Sequence, residues 1–292
     1  MTIKVTKLGE LDTKASFLFY GEAGIGKTSL AKTLPVENDE RLLYLGVDPG
    51  QLSLRGRSFS RIWPDNGKWT RDYLVELAKY IRDYSNKFDW VVIDGIDDLG
   101  NAILSAEKKN STNLQRAYGE MGDFMIDWML AMRDIDGTNP IFITHIESNR
   151  EPDGTVTYRP AFPGRMVTER LINYFDFCGC MRLVGTEDGQ RRMIQFKREA
   201  NPRYEVKERG DAVAPLEEPN LSAIMDKLKA AHIRVTSDVA LRNREELKVL
   251  GDLLKKKNIT LEQVIAKFGS HPKTFSDTTY KLCFEWAKGV EQ

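Results

Sequence analysis

Cysteine is scarce: three in 292 residues, Cys178, Cys180 and Cys283, too few for a disulfide framework. Cys178 and Cys180 lie two apart in Phe175-Asp176-Phe177-Cys178-Gly179-Cys180-Met181, where strand alternation sets both on one face. With no second cysteine pair and only three histidines in the chain, that spacing reads as buried strand thiols and not as a zinc site. An excess of charge of either sign is missing too. Lys plus Arg and Asp plus Glu each number 43, so the molecule as a whole lacks the signature of a nucleic-acid binder and any such site must come from local charge. No stretch approaches the roughly 20 apolar residues of a membrane span, and Met1-Thr2-Ile3-Lys4-Val5 lacks the apolar core of a signal peptide. The expectation is a cytoplasmic protein with no membrane partner. Repeats and low-complexity tracts are absent as well.

What is there begins with Gly21-Glu22-Ala23-Gly24-Ile25-Gly26-Lys27-Thr28, a full G-x-x-x-x-G-K-[ST] motif after the apolar run Ala15 to Tyr20. Glycines remove the side chains that would keep a backbone from wrapping a triphosphate, so consecutive N–H groups can point at phosphate oxygens. Gly21 to Thr28 and the following Ser29 are the expected ATP-binding set, with a helix opening near Lys27. Lys27 would bridge the β- and γ-phosphates, and the Thr28 hydroxyl would ligate Mg2+.

Arg41 to Val47 reads as a second buried strand, ended by Asp48-Pro49-Gly50. Beyond it, Arg55, Arg57 and Arg61 lie near Trp63 and Trp69. Such a set is either a stacking surface for single-stranded nucleic acid or a pair of tryptophans packing a loop onto the domain. Thr70 to Asn86 has helical spacing, with Tyr73, Leu74, Leu77, Tyr80, Ile81 and Tyr84 as its apolar stripe. Trp90-Val91-Val92-Ile93-Asp94 is a Walker B pattern: a buried strand delivers Asp94 to its C-terminal edge, where it can hold the magnesium shell. Many AAA+ ATPases carry a glutamate next, to activate water; here the residue is Gly95.

Ala102 to Arg133 reads as one or two long helices, and Pro140 to His145 as another buried strand ending in two polar residues. Ser148 to Arg165 is irregular, with Asp153-Gly154 suggesting a hairpin. Arg150, Tyr158, Arg159, Phe162 and Arg165 interleave cations with aromatic rings, as a surface tracking single-stranded DNA would; a hairpin without ligand has the same look. Val167 to Tyr174 looks helical, and Phe175 to Val184 with Arg191 to Arg198 suggests an antiparallel pair at the sheet edge. Leu221 to Ala231 is helical and closes a main domain over 1–231. A linker over 232–240 and a small helical module over 241–292 follow, the latter with a capping-box pair at Thr260 and Gln263.

Together these features resemble the short RecA-like ATPases encoded by bacteriophages, a group that includes single-strand annealing and recombination proteins. The residues that carry the likeness are Phe17 to Thr28 with Ala31 and Pro35, Asp48 to Leu54, Val91 to Asp94, the strand ending at His145, and Lys207-Glu208-Arg209. The resemblance implies an α/β RecA-like P-loop core, with a mostly parallel sheet between helices, that forms a ring or filament of identical subunits. It further implies single-stranded DNA binding and ATP hydrolysis between subunits in a bacterial host's cytoplasm. On that pattern Asp48, where glutamate is usual, is the residue that activates water, and His145 senses the γ-phosphate. Lys207 and Arg209, sent to one face by their spacing, are expected to act on a neighbour's ATP; a solvated strand edge or contacts to DNA phosphates would have the same spacing. The C-terminal module would engage a single-stranded DNA-binding protein or a replication partner. Competing expectations are a replication motor or helicase loader, and a regulatory or defence ATPase that does not use DNA.

Overall fold

A computed structural model describes residues 15–47, 50–186, 189–199, 203–231, 248–268 and 277–289. The apolar runs become strands buried on both faces, as in parallel sheets covered by helices on either side. They are β1 (Phe17–Gly21), β2 (Leu42–Gly46) and β4 (Trp90–Asp94), with β3 (Ser60–Ile62) beside β2. Further along come β5 (Asn139–Arg150), β6 (Val156–Pro160), β7 (Phe177–Thr186), β8 (Gly189–Gln195), β9 (Arg203–Tyr204) and β10 (Leu216–Glu217). The sheet order is β10-β8-β7-β1-β5-β4-β2-β3, parallel from β7 to β3 and antiparallel where β8 and β10 join. This is the mostly parallel α/β architecture expected of a RecA-like core.

Strand alternation divides the apolar residues between two faces. Leu18, Tyr20, Val91, Ile93, Phe142, Cys178 and Cys180 pack beneath α1 (Arg71–Asp83), α2 (Ile96–Asn110) and α3 (Leu114–Arg133). Phe17, Phe19, Trp90, Val92, Ile141 and Ile143 meet Leu30, Ala31 and the buried face of α5 (Leu221–Ala230), which follows the short α4 (Arg165–Thr168) in the chain. Both strand cysteines are therefore packing residues. Burial raises the Cys178 thiol well above its ordinary value and pushes Cys180 up to about 12, so neither yields the thiolate a metal requires.

Two expectations change and one open choice is decided. Helix α1 starts where anticipated, the Thr70 hydroxyl accepting from the Tyr73 N–H at 3.2 Å, but Tyr80 and Tyr84 leave the core and pack on each other at the surface. Strand β7 is not at the sheet edge: its first half pairs in parallel with β1 and only its second half forms the hairpin with β8. The tryptophans take the packing alternative, since Trp69 is buried edge-on against Trp63 and Arg61 lies over the Trp63 ring.

The chain divides into two compact units, Met1–Thr236 and Ser237–Gln292. The linker expected over 232–240 lies outside the described residues. In the second unit, helical residues 248–256, α6 (Leu261–Phe268) and α7 (Asp277–Gly289) bury Leu250, Val264, Cys283 and Ala287. The Thr260 and Gln263 capping box is formed in both directions, at 2.8 and 3.3 Å.

Candidate nucleotide site

Strand β1 ends at Gly21, level with His145 of β5 on one side and Met181 of β7 on the other. The chain then turns through Gly24 and Gly26, whose φ angles of 76° and 101° lie in the left-handed region that only glycine occupies readily. The helix expected to open near Lys27 does so as a 3-10 helix over Thr28–Thr33. A cavity of about 260 Å3 opens over this loop, lined by Lys27, Thr28, Ser53, Asp94, His145 and Arg192 among others.

Lys27 differs from a solvent-facing phosphate ligand. It is only 8% exposed, and its ammonium donates back to the carbonyls of Gly21 at 2.8 Å and Glu22 at 2.9 Å. Its charge is thus held within the loop, and a phosphate would compete with those carbonyls for the same donors. Thr28 Oγ1 donates to Asp94 Oδ2 at 2.5 Å, joining the two motif residues across 66 positions of sequence, and Tyr44 donates to the same oxygen at 2.9 Å. One hydroxyl and one carboxylate, both hard oxygen donors, suit a magnesium ion that keeps most of its ligands as water and phosphate. When bound, such an ion neutralises charge on the transferred phosphoryl group. Thr28 and Asp94 are the residues that would hold it.

Gly95 accounts for the missing glutamate. Its φ of 96° turns the chain from β4 straight into α2, and a Cβ there would stand 3.3 Å from Val47 Cβ. At the end of the next strand, His145 Nδ1 lies 2.8 Å from Asp97 Oδ2 on α2, and the Thr144 hydroxyl donates to Ala161 O at 2.7 Å. The Asp97 hydrogen bond, chiefly, raises the His145 pKa above its ordinary value, against the opposing pull of burial. Burial acts to raise the Asp97 carboxyl, yet the hydrogen bond and charge of His145 bring it below the ordinary value. The two form a pair whose imidazole faces the cavity wall.

The remaining candidates are dispersed. Asp48 lies outside the described residues. Lys207 bridges Cys178, near the start of β7, and its ammonium donates to the Ile172 and Asn173 carbonyls at 3.2 Å each; Arg209 pairs with Asp176 at 3.0 Å. That is toward the start of β7, three residues before the level of Gly21, and neither residue lines the cavity over the P-loop. The expected hairpin forms, β5 pairing with β6 from Ile146↔Pro160 to Arg150↔Val156 around Gly154. Its side chains do not make one surface. Phe162 is 5% exposed and packs in the core against Gly100, so it offers no stacking face. Arg159 is turned onto Glu147 at 2.6 Å, and Tyr158 stacks on Tyr204. Arg150 and Arg165 are exposed, the latter paired with Glu169.

Sequence reasoning missed Tyr44, Ser53, Asp97 and Arg192. Asp97 had a faint signal, an acidic residue one turn past the Walker B aspartate. The others reach the site only through strand register and loop placement, which no local pattern encodes.

A phosphate-cradling loop at the C-terminal edge of a parallel sheet, joined to a Walker B carboxylate, defines a P-loop nucleotide-binding ATPase. The family model described as "AAA domain" matches residues 13–209, and the chain belongs to that family. Among solved structures, it is similar to a KaiC-like protein from the hyperthermophilic archaeon Pyrococcus horikoshii OT3, at 12% identity and a TM-score of 0.35 over 66% of this chain and 82% of that one. No curated protein matches. Among the described residues, no helix is long and apolar enough to cross a membrane.

Proposed function

We propose that the protein is a magnesium-dependent, ATP-hydrolysing DNA recombination or single-strand annealing protein of a phage or prophage. In this reading it binds single-stranded DNA as a ring or filament in the bacterial cytoplasm. The observation that carries it is the continuity of β5. One strand runs from Thr144 and His145 at the phosphate cavity into the hairpin that ends at the exposed Arg150. A γ-phosphate contact at His145 would thereby bear on the hairpin and its exposed Arg150, five residues along the same strand. Lys207 and Arg209 would act in trans: they lie toward the start of β7 and do not line the cavity over their own loop, so a catalytic role for them would be on a neighbour's phosphate. Cations placed there would stabilise charge spreading over the transferred phosphoryl oxygens.

The burial of Phe162 and the pairing of Arg159 with Glu147 favour a second reading, an ATPase switch that does not use DNA. Binding of a labelled single-stranded oligonucleotide, with and without Mg-ATP and across a salt series, separates the two. ATP-dependent binding that weakens with salt, as released counterions require, supports the first. Absence of binding in either nucleotide state refutes it.

A further inference from the structure

We propose that Arg192 is a phosphate contact acting in cis on the nucleotide held by its own P-loop. The proposal rests on the cavity above the loop being the nucleotide site.

Arg192 comes from β8, opposite Leu183 of β7, two positions beyond the level at which β7 flanks Gly21. The β7–β8 hairpin therefore carries it past the edge of the sheet and over the loop. Its Nη1 lies 2.9 Å from the position a Cβ would take on Gly26, and its Cδ 3.9 Å from the same point. The guanidinium thus occupies the space that the last glycine of the motif leaves open. It lines the same cavity as Lys27 and Thr28.

Its pairing sets it apart from its neighbours. Arg182, on the facing strand, is held by Gln195 at 2.6 Å and Glu199 at 3.0 Å. Among the described residues, Arg192 has neither a hydrogen-bond partner nor a carboxylate, while the carboxylate of the site, Asp94, already accepts from Thr28 and Tyr44. Two cations, Lys27 and Arg192, therefore share one small cavity. Their mutual repulsion is relieved by an anion with several oxygens, and a planar fork of donors fits a phosphate at two points. Strand alternation turns the adjacent Arg191 to the other face of β8, so the two arginines are a built-in pair of test and control.

The experiment uses the full chain with fluorescent N-methylanthraniloyl-ATP and -ADP as probes, and phosphate release as a second readout. Arg192→Ala is expected to weaken triphosphate binding about ten- to a hundredfold, the range of a charge-assisted hydrogen bond. Arg192→Lys should recover part of that loss, because it restores the charge without the fork, and Arg191→Ala should leave affinity unchanged. Mixing Arg192→Ala with Lys27→Met subunits should restore no hydrolysis, since each lesion disables its own subunit's site. Wild-type affinity in Arg192→Ala, beside weakened binding in Lys27→Met, overturns the assignment alone; restoration on mixing overturns the cis role. Wild-type protein that binds neither probe overturns the nucleotide reading and this proposal with it.

Discussion

Replacing Lys27 by methionine keeps the length of the side chain and removes its charge, so it separates the lysine's role in the fold from its role on phosphate. In the structure the ammonium makes two charge-assisted hydrogen bonds, to Gly21 O and Glu22 O. Each such bond contributes about 1.5–3 kcal/mol, but holding an ammonium in a site that is only 8% exposed costs several kcal/mol of hydration, on the order of the same sum. The net change in folding free energy is therefore small, about 1–2 kcal/mol destabilising, left by two carbonyls that lose their donor. For a core of this size that is a fall of about 2–8 °C in Tm. Catalysis has no such cancellation. Loss of a cation from the developing phosphoryl charge should slow hydrolysis about a hundred- to a thousandfold. Urea denaturation followed by tryptophan fluorescence gives the first quantity, and phosphate release the second. A variant that hydrolyses ATP at the wild-type rate refutes the site. A variant that loses more than about 4 kcal/mol refutes the cancellation.

Asp94→Asn keeps the shape of the Thr28 and Tyr44 partner but removes the charge, so hydrolysis should fall at least about a hundredfold and magnesium should no longer tighten nucleotide binding; a magnesium titration of affinity checks this. Phe162→Ala should cost about 3–5 kcal/mol in urea denaturation because the ring is a core residue. Arg150→Ala, exposed at the hairpin, should instead leave stability unchanged and weaken single-stranded DNA binding with a shallower salt slope. The Asp97 and His145 pair stabilises the fold only while both groups are charged. His145 is raised, so its contribution is complete below its ordinary 6.5 and is lost as pH rises through the higher folded value. Asp97 is lowered, so its contribution is complete above its ordinary 3.8 and is lost as pH falls through the lower folded value. The Tm difference between wild type and His145→Gln should accordingly be greatest between pH 3.8 and 6.5 and shrink on both sides. Finally, subunits carrying Lys207→Ala and Arg209→Ala should regain hydrolysis when mixed with Lys27→Met subunits. A mixture that co-assembles but stays inactive removes the trans role.

The parts of this protein that were legible in its sequence are those written in local backbone chemistry. Strands β1, β2 and β4 announce themselves as continuous apolar runs, because a parallel strand covered on both faces needs nothing polar between its ends. The phosphate loop is legible because glycine is required where φ is positive, and the Thr260 and Gln263 box because its partners are three residues apart. What failed depends on register and packing. Tyr80 and Tyr84 have helical spacing, but the buried face of α1 is made by Leu74, Leu77, Ala78 and Ile81, and both tyrosines fall outside it. A phenylalanine between arginines looks the same whether it faces DNA or Gly100, and Phe162 faces Gly100. Arg192 reaches the phosphate loop only because β8 pairs with β7 and β7 with β1. Tyr44 and Asp97 likewise meet the site from other elements, and no spacing in the chain records their approach.

The measurement closest to the central claim is phosphate release from ATP by the full-length wild-type chain, in magnesium and in EDTA, with the Asp94→Asn chain alongside. The joined Thr28 and Asp94 pair predicts hydrolysis that requires magnesium and is lost in Asp94→Asn. Wild-type activity no higher than that of Asp94→Asn in magnesium, or equal activity in EDTA, would contradict it.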